Sequence, residues 1–188
     1  MDGDYHPALG DRLRRRTRRH LLERLRSMVV PAGTRLLDLG GGSAVTTVEF
    51  GKGARELYVL EPDARKTERG LRAGAPVTFV SGVAEAIPFG EGRFERVVSL
   101  MSFHHFSDGD RACHEAARVL APGGRFVIYD IHRSSLAARW LSIFARHRGH
   151  PGSGFASAQE LVQKLANAGF HAVRQEPYRS GSFVVGER

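Results

Sequence analysis

The sequence predicts an α/β fold: a parallel sheet with helices packed on both faces. Short apolar runs of strand length alternate along the chain with longer segments of helical periodicity. The run Leu36-Leu-Asp-Leu39 passes without a break into three glycines, as a strand does when it ends in a tight turn. Leu57-Tyr-Val-Leu60 is apolar throughout rather than alternating, which marks a strand buried on both faces.

Each element has its own reason. Leu13, Thr17, Leu21, Leu25 and Met28 recur at helical spacing while Arg12, Arg14, Arg15, Arg16, Arg18, Arg19 and Arg26 fill the other faces, so an amphipathic helix ends before Pro31. The stripe reads as a packing face with a solvated basic side; a membrane-surface or RNA-contacting helix is the competing reading. After a turn at Pro31-Ala-Gly-Thr34, Leu36 to Leu39 is the first strand. Ser43 to Phe50 forms a short helix that Gly51-Lys-Gly53 breaks, and Leu57 to Leu60 is the second strand, ending on Glu61.

The alternation continues with a helix at Ala64 to Arg72, a strand at Val77 to Val80, a turn at Gly90-Glu-Gly92 and a strand at Arg96 to Met101. A helix from Asp110 to Leu120 stops at Ala121-Pro-Gly-Gly124, and Arg125 to Asp130 is the next strand. His132 to His150 carries Leu136, Trp140, Ile143 and Phe144 at helical spacing. Ser157-Ala-Gln-Glu160 is a capping box opening a helix that runs to Gly169. Phe170 to Gln175 and Ser182 to Val185 read as two last strands joined around Pro177.

At 188 residues the chain suits one domain, divided here into a basic N-terminal helix or cap at 1–33 and a core at 34–188. The single cysteine, Cys113, excludes an internal disulfide or a cysteine metal cluster and suits a reducing cytoplasm. No apolar run approaches the roughly 20 residues of a membrane-spanning helix, and no cleavable leader is visible, so the chain reads as soluble. The formal net charge of +8 favours anionic partners without choosing among nucleic acid, lipid and small acids.

The chemistry gathers at the glycine turn Asp38-Leu-Gly-Gly-Gly-Ser-Ala44. A strand delivered into Gly40, Gly41 and Gly42 lets a nucleotide approach the main chain closely. Glu61, at the end of the next strand, can accept both hydroxyls of a ribose. A dinucleotide turn wants a third small residue where Val45 stands, and Asp38 is ill-placed beside a pyrophosphate but suits a ligand bearing an ammonium group. These features favour S-adenosylmethionine over a nicotinamide dinucleotide.

From about Thr34 to Val185 the chain resembles the class I S-adenosylmethionine-dependent methyltransferases, in the group that includes the ubiquinone and menaquinone biosynthesis enzymes. Leu36-Leu-Asp-Leu-Gly-Gly-Gly-Ser-Ala44 is similar to the family's first motif, Glu61-Pro-Asp63 to its acidic corner, and Ala84-Glu-Ala-Ile-Pro-Phe89 to the segment after the third strand. Phe94 to Phe106 resembles the fourth-strand motif, and Arg118 to Arg125 the turn into the fifth strand. The resemblance implies a Rossmann-like, mostly parallel sheet of seven strands ordered 3-2-1-4-5-7-6, with the cofactor across the carboxyl ends of strands one to four. It adds Pro62, Val83, Ala84, Glu85 and Leu100 to the cofactor-binding residues. Val83 departs from the pattern: it stands where the family often has an aspartate that accepts from the adenine amino group.

Methyl transfer from a sulfonium is a direct displacement that needs alignment and no metal, with a general base only where the acceptor carries a proton. His104 and His105, after the fourth strand, are the candidate bases; Asp130 and His132 are second candidates, and Tyr5 and His6 a possible flap. No Asn/Asp-Pro-Pro-Tyr/Phe run follows the fourth strand and Cys113 lies on a helix, which disfavours N6-adenine and C5-pyrimidine methylation. The expected acceptor is a small molecule methylated at oxygen, nitrogen or carbon, under a lid made by the helix Ser134 to His147 and the N-terminal helix, in a monomer or homodimer. An RNA- or ribosome-associated methyltransferase using the Arg12 to Arg26 helix and a non-catalytic cofactor-binding relative are the alternatives.

Overall fold

The computed structural model describes residues 7–30, 32–131 and 154–188, with side chains from residue 18 onward. The elements are α1 (Pro7–Val29), β1 (Arg35–Leu39), α2 (Val45–Phe50), β2 (Glu56–Leu60), α3 (Ala64–Arg72), β3 (Thr78–Val80), β4 (Phe94–Leu100), a 3-10 turn (Phe103–His105), α4 (Gly109–Val119), β5 (Leu120–Ile131), α5 (Ala158–Asn167), β6 (His171–Tyr178) and β7 (Gly181–Glu187). The seven strands form one sheet in the order β3-β2-β1-β4-β5-β7-β6. Neighbours from β3 to β5 are parallel, and β7 runs antiparallel to both β5 and β6. The expected Rossmann-like topology is present.

The sheet has a core on each face because β1, β4, β5 and β7 carry apolar side chains in both directions. Leu37, Leu39, Phe126 and Val184 meet α4 and α5 through Ala112, Cys113, Leu161 and Leu165. Leu36, Val98, Val127 and Phe183 meet α1 and α2 through Leu22, Leu25, Met28, Val29 and Phe50. The packing stripe of α1 thus includes Leu22 and Val29, with Leu21 only half-buried at its edge. Arg18 pairs with Glu49 at 2.7 Å, Arg24 pairs with Glu176, and Arg26 donates to the carbonyls of Glu49 and Lys52 at 3.1 Å, so these arginines fasten α1 to the domain. No helix of the described residues is long and apolar enough to cross a membrane.

Two boundaries differ from expectation for readable reasons. β5 begins at Leu120, ahead of the Pro-Gly-Gly turn, because Leu120 pairs with Phe94 before a register shift brings Arg125 opposite Arg96. Pro177 lies inside β6, opposite Ser182, rather than between two strands. That is tolerable because β6 is a sheet edge, where a missing N–H leaves no neighbour unpaired. The reversal is instead the pair Arg179-Ser180, with Arg179 at φ 56, the left-handed backbone that a two-residue hairpin demands. The capping box at Ser157 is complete: its side chain accepts from Glu160 N–H at 3.2 Å, and Glu160 accepts from Ser157 N–H at 2.6 Å.

Candidate active site at the carboxyl ends of the strands

β1 ends at Leu39, and Gly40 still donates its N–H to Leu60 O at 2.8 Å, so pairing with β2 extends into the turn. Gly40 has φ +74, and a Cβ there would fall 2.7 Å from Cβ of Ser102. Close approach between the turn and the end of β4 is therefore what requires glycine. Ala44, at φ 63, caps α2, which begins at Val45 and not at Ser43.

Two carboxylates sit at adjoining strand ends. Asp38 is 2% exposed. Thr47 donates its hydroxyl to Asp38 Oδ2 at 2.5 Å, and Oδ1 is buried with no hydrogen-bond partner. Burial pushes the Asp38 carboxyl up to about 7; the Thr47 bond opposes this and the charge of Glu61 adds to it. Glu61, equally buried, accepts from Gly42 N–H at 3.0 Å through Oε2, and from Asp63 N–H at 3.1 Å and Lys66 at 3.3 Å through Oε1.

A cleft of about 470 Å³ opens over these ends. Of the residues expected to bind cofactor, Gly40, Glu61, Pro62, Val83, Ala84 and Glu85 line it. Asp38, near the end of β1, and Gly41 and Gly42 of the turn are not in the lining. Leu100 lies elsewhere, against the core on the α1 side, because Val98 and Leu100 point to the same face of β4. Val83 is half-exposed in the cleft wall and has no side-chain hydrogen-bonding group. Glu85 accepts from Ser107 N–H at 2.6 Å, Ser107 Oγ at 2.8 Å and Asp108 N–H at 3.2 Å, pinning the opposite rim. Partial burial raises its carboxyl, but these bonds outweigh that and hold it below the ordinary carboxylate range.

At the end of β4 the chain turns sharply. Met101 adopts φ 54, and Ser102 Oγ donates to Leu39 O at 2.6 Å and lies 2.8 Å from Ser99 Oγ. The 3-10 turn then presents two histidines in different roles. His105 lines the cleft. His104 is behind it, its Nδ1 2.9 Å from both oxygens of Asp130, its ring stacked on Phe155 with centroids 4.3 Å apart. The two sequence candidates His104 and Asp130 thus form one unit. His132, Tyr5, His6 and the helix expected at Ser134 to His147 lie outside the described residues, and no described residue of α1 lines the cleft.

Lys66, Ser102 and Phe106 also line the cleft and were not singled out in the sequence. Lys66 could have been found from its place one turn into the helix that Asp63 caps. Phe155 follows Pro-Gly-Ser-Gly in the sequence and carries no sequence signal of its ring stacking. Cys113 is fully buried and its thiol is pushed up to about 12, so it is inert. No cluster of three metal-ligating side chains occurs among the described residues.

A Rossmann-like sheet in this order, with a glycine turn and an acidic second-strand end beneath a cleft, defines the class of S-adenosylmethionine-dependent methyltransferases. The methyltransferase domain family matches residues 37–128. A methyltransferase of Synechocystis of uncharacterized activity is 30% identical over 165 residues, covering 86% of this chain and 78% of that protein. The chain belongs to this methyltransferase family. The human mitochondrial 2-methoxy-6-polyprenyl-1,4-benzoquinol methylase is 28% identical over 171 residues, covering 79% of this chain but 50% of that one. Bacillus subtilis YcgJ is 34% identical over 104 residues, and there the chain spans 40% of its relative. Among solved structures, an S-adenosylmethionine-dependent methyltransferase of Mesorhizobium loti superposes with TM-score 0.77 at 18% identity, covering 88% of this chain and 96% of that one.

Proposed function

We propose that this protein transfers a methyl group from S-adenosylmethionine to oxygen, nitrogen or carbon of a small organic acceptor bound in the cleft. The observation that carries the reading is the pair of buried carboxylates at adjoining strand ends, one with an unpartnered oxygen. An orphaned carboxylate oxygen in a dry site calls for a donor, and the ammonium of the methionyl group is one. Glu61 Oε2 accepts a single bond and keeps capacity for a ribose hydroxyl. Gly40 leaves room for close approach, and Val83 leaves adenine to backbone groups. Bound there, the sulfonium supplies an activated methyl carbon: the acceptor's electron pair forms the new bond while the carbon–sulfur pair returns to sulfur.

The small-molecule reading is favoured over an RNA one because Arg18, Arg24 and Arg26 are occupied by contacts within the chain. In this reading 34–188 is the catalytic unit, and α1 supports it by packing Leu22, Leu25, Met28 and Val29 on one face of the sheet. The buried, unpaired thiol suits a reducing cytoplasm. Titration calorimetry with S-adenosylhomocysteine tests the proposal: micromolar binding that Asp38→Asn and Glu61→Gln each weaken is expected, and no binding to the wild type would overturn it.

A further inference from the structure

We propose that Ser102 is a positioning residue of this site: its hydroxyl bond to Leu39 O holds the glycine turn where the methionyl half of the cofactor crosses it. This rests on the methyl-transfer reading above and adds to it the residue that sets the turn.

β1 and β4 stay paired only as far as Asp38 opposite Val98, one residue short of Leu39. β4 continues beside β5 to Leu100, and Met101 still donates its N–H to Tyr129 O at 2.8 Å. The two strands therefore part where the cleft opens, and the ladder no longer fixes the distance between their ends. Ser102 spans that gap, donating from Oγ to Leu39 O at 2.6 Å. A serine hydroxyl has one proton to give, so the Ser99 hydroxyl, 2.8 Å away, is the donor in its contact with Ser102 and orients it. Ser99 is fully buried and Ser102 is 5% exposed, which shields both bonds from water.

The backbone is bent to bring this about. Met101 adopts φ 54, a left-handed conformation that a residue with a side chain keeps only where its surroundings enforce it, and such positions gather at functional sites. The bend returns Ser102 toward β1, so near that a Cβ added to Gly40 would fall 2.7 Å from its own. Both residues line the cleft.

The strand order says which part of the ligand this affects. In the sequence β3-β2-β1-β4, the lining residues Gly82 to Glu85 follow β3, Glu61 to Asp63 follow β2, Gly40 follows β1 and Ser102 follows β4. With the ribose on Glu61, the nucleoside occupies the β2 and β3 side, and the sulfur and methionyl group extend over β1 toward β4. Ser102 acts on that second half alone, through Leu39 and Gly40. A serine that merely filled the core would show no preference between the two halves.

Calorimetry on the full chain with two ligands tests this: S-adenosylhomocysteine, and methylthioadenosine, which carries the same nucleoside but no amino-acid group. Ser102→Ala should weaken S-adenosylhomocysteine about tenfold, as for a turn that holds its binding geometry about a tenth of the time, and methylthioadenosine less than about twofold. The carbonyl carbon resonance of Leu39 should move upfield in the same variant, as when a carbonyl loses a hydrogen bond. Ser99→Ala leaves the bond to Leu39 in place and should show only part of the loss. Ser102→Cys, which keeps the size and weakens the donor, should show the same selective loss in smaller degree, and it carries the comparison if Ser102→Ala does not fold. Equal losses for both ligands would make Ser102 a general packing residue and overturn the proposal, as would undiminished S-adenosylhomocysteine affinity, an unmoved Leu39 resonance, or a loss in Ser99→Ala as large as in Ser102→Ala. Failure of the wild type to bind either ligand would overturn the methyl-transfer reading beneath it.

Discussion

Thr47 donates to one oxygen of Asp38 at 2.5 Å and leaves the other buried without a partner. The consequence is a charge held at a cost. With the folded carboxyl raised to about 7 from an ordinary 3.8, the folded protein keeps a proton that the unfolded chain gives up over that interval. Stability therefore falls as pH rises between about 4 and about 7, by at most about 1.4 kcal/mol per unit, and levels off above.

Asp38→Asn should remove this slope. Urea denaturation at pH 5 and pH 8 is expected to show the variant gaining on the wild type at the higher pH. The same substitution should weaken S-adenosylhomocysteine. Wild-type affinity should itself rise with pH through 7, since only the ionised carboxylate complements an ammonium group. An affinity independent of pH from 6 to 8 would contradict the assignment.

Glu61 and Lys66 are joined at 3.3 Å, but only Glu61 is buried. Glu61→Gln removes the charge that Gly42 N–H, Asp63 N–H and a ribose would share. At about 1.5–3 kcal/mol for a hydrogen bond to a charged group, S-adenosylhomocysteine should bind at least tenfold more weakly. Lys66 is half-exposed, and its loss frees an acceptor site on Oε1, so Lys66→Met should change that affinity only a few-fold. Calorimetry of both variants distinguishes a ribose-binding carboxylate from one that merely anchors Lys66.

Gly40 and Gly33 separate two costs that are usually confounded. Both have positive φ, +74 and +70, but a Cβ at Gly33 meets nothing within 4 Å while one at Gly40 meets Ser102 at 2.7 Å. Gly33→Ala should lose only the backbone cost, roughly 1–2 kcal/mol. Gly40→Ala should lose about 1–3 kcal/mol more, because Ser102 is held by Leu39 O and Ser99 and cannot yield freely. Equal midpoints in urea would refute the close-approach argument.

The difference between local and long-range signals decides what was legible in the sequence. Leu36 to Leu39 running into three glycines and the capping box at Ser157 are each complete within a few residues, and both appear where expected; the Asp63 cap of α3 is equally local but was not read. The start of β5 was not readable, because it is set by Leu120 finding Phe94 across the sheet. His104 and Asp130 were singled out separately. Their contact depends on the parallel register of β4 and β5, which brings Leu100 opposite Tyr129 and so sets the two strand ends side by side. Leu100 stands outside the cleft lining for a related reason: a family motif names the strand end, while the pleat decides which face each residue serves.

The basic helix α1 offers a last discrimination, between packing and charge as its function. Leu25 is fully buried against the sheet, whereas the Arg18–Glu49 pair leaves its partners 45% and 48% exposed. Water and salt screen such a pair, so Arg18→Ala should cost less than about 1 kcal/mol. Leu25→Ala removes side-chain volume from a core that also holds Val98, Val127 and Phe183, and should cost about 2–5 kcal/mol. If the helix were instead a detachable arm evolved for nucleic acid, Leu25→Ala would leave the unfolding midpoint of the domain in place while the arginine substitutions abolished RNA binding. Denaturation of the two variants, with a filter-binding series on unfractionated RNA at low and high salt, tells these outcomes apart; the buried leucine contacts predict that the midpoint moves.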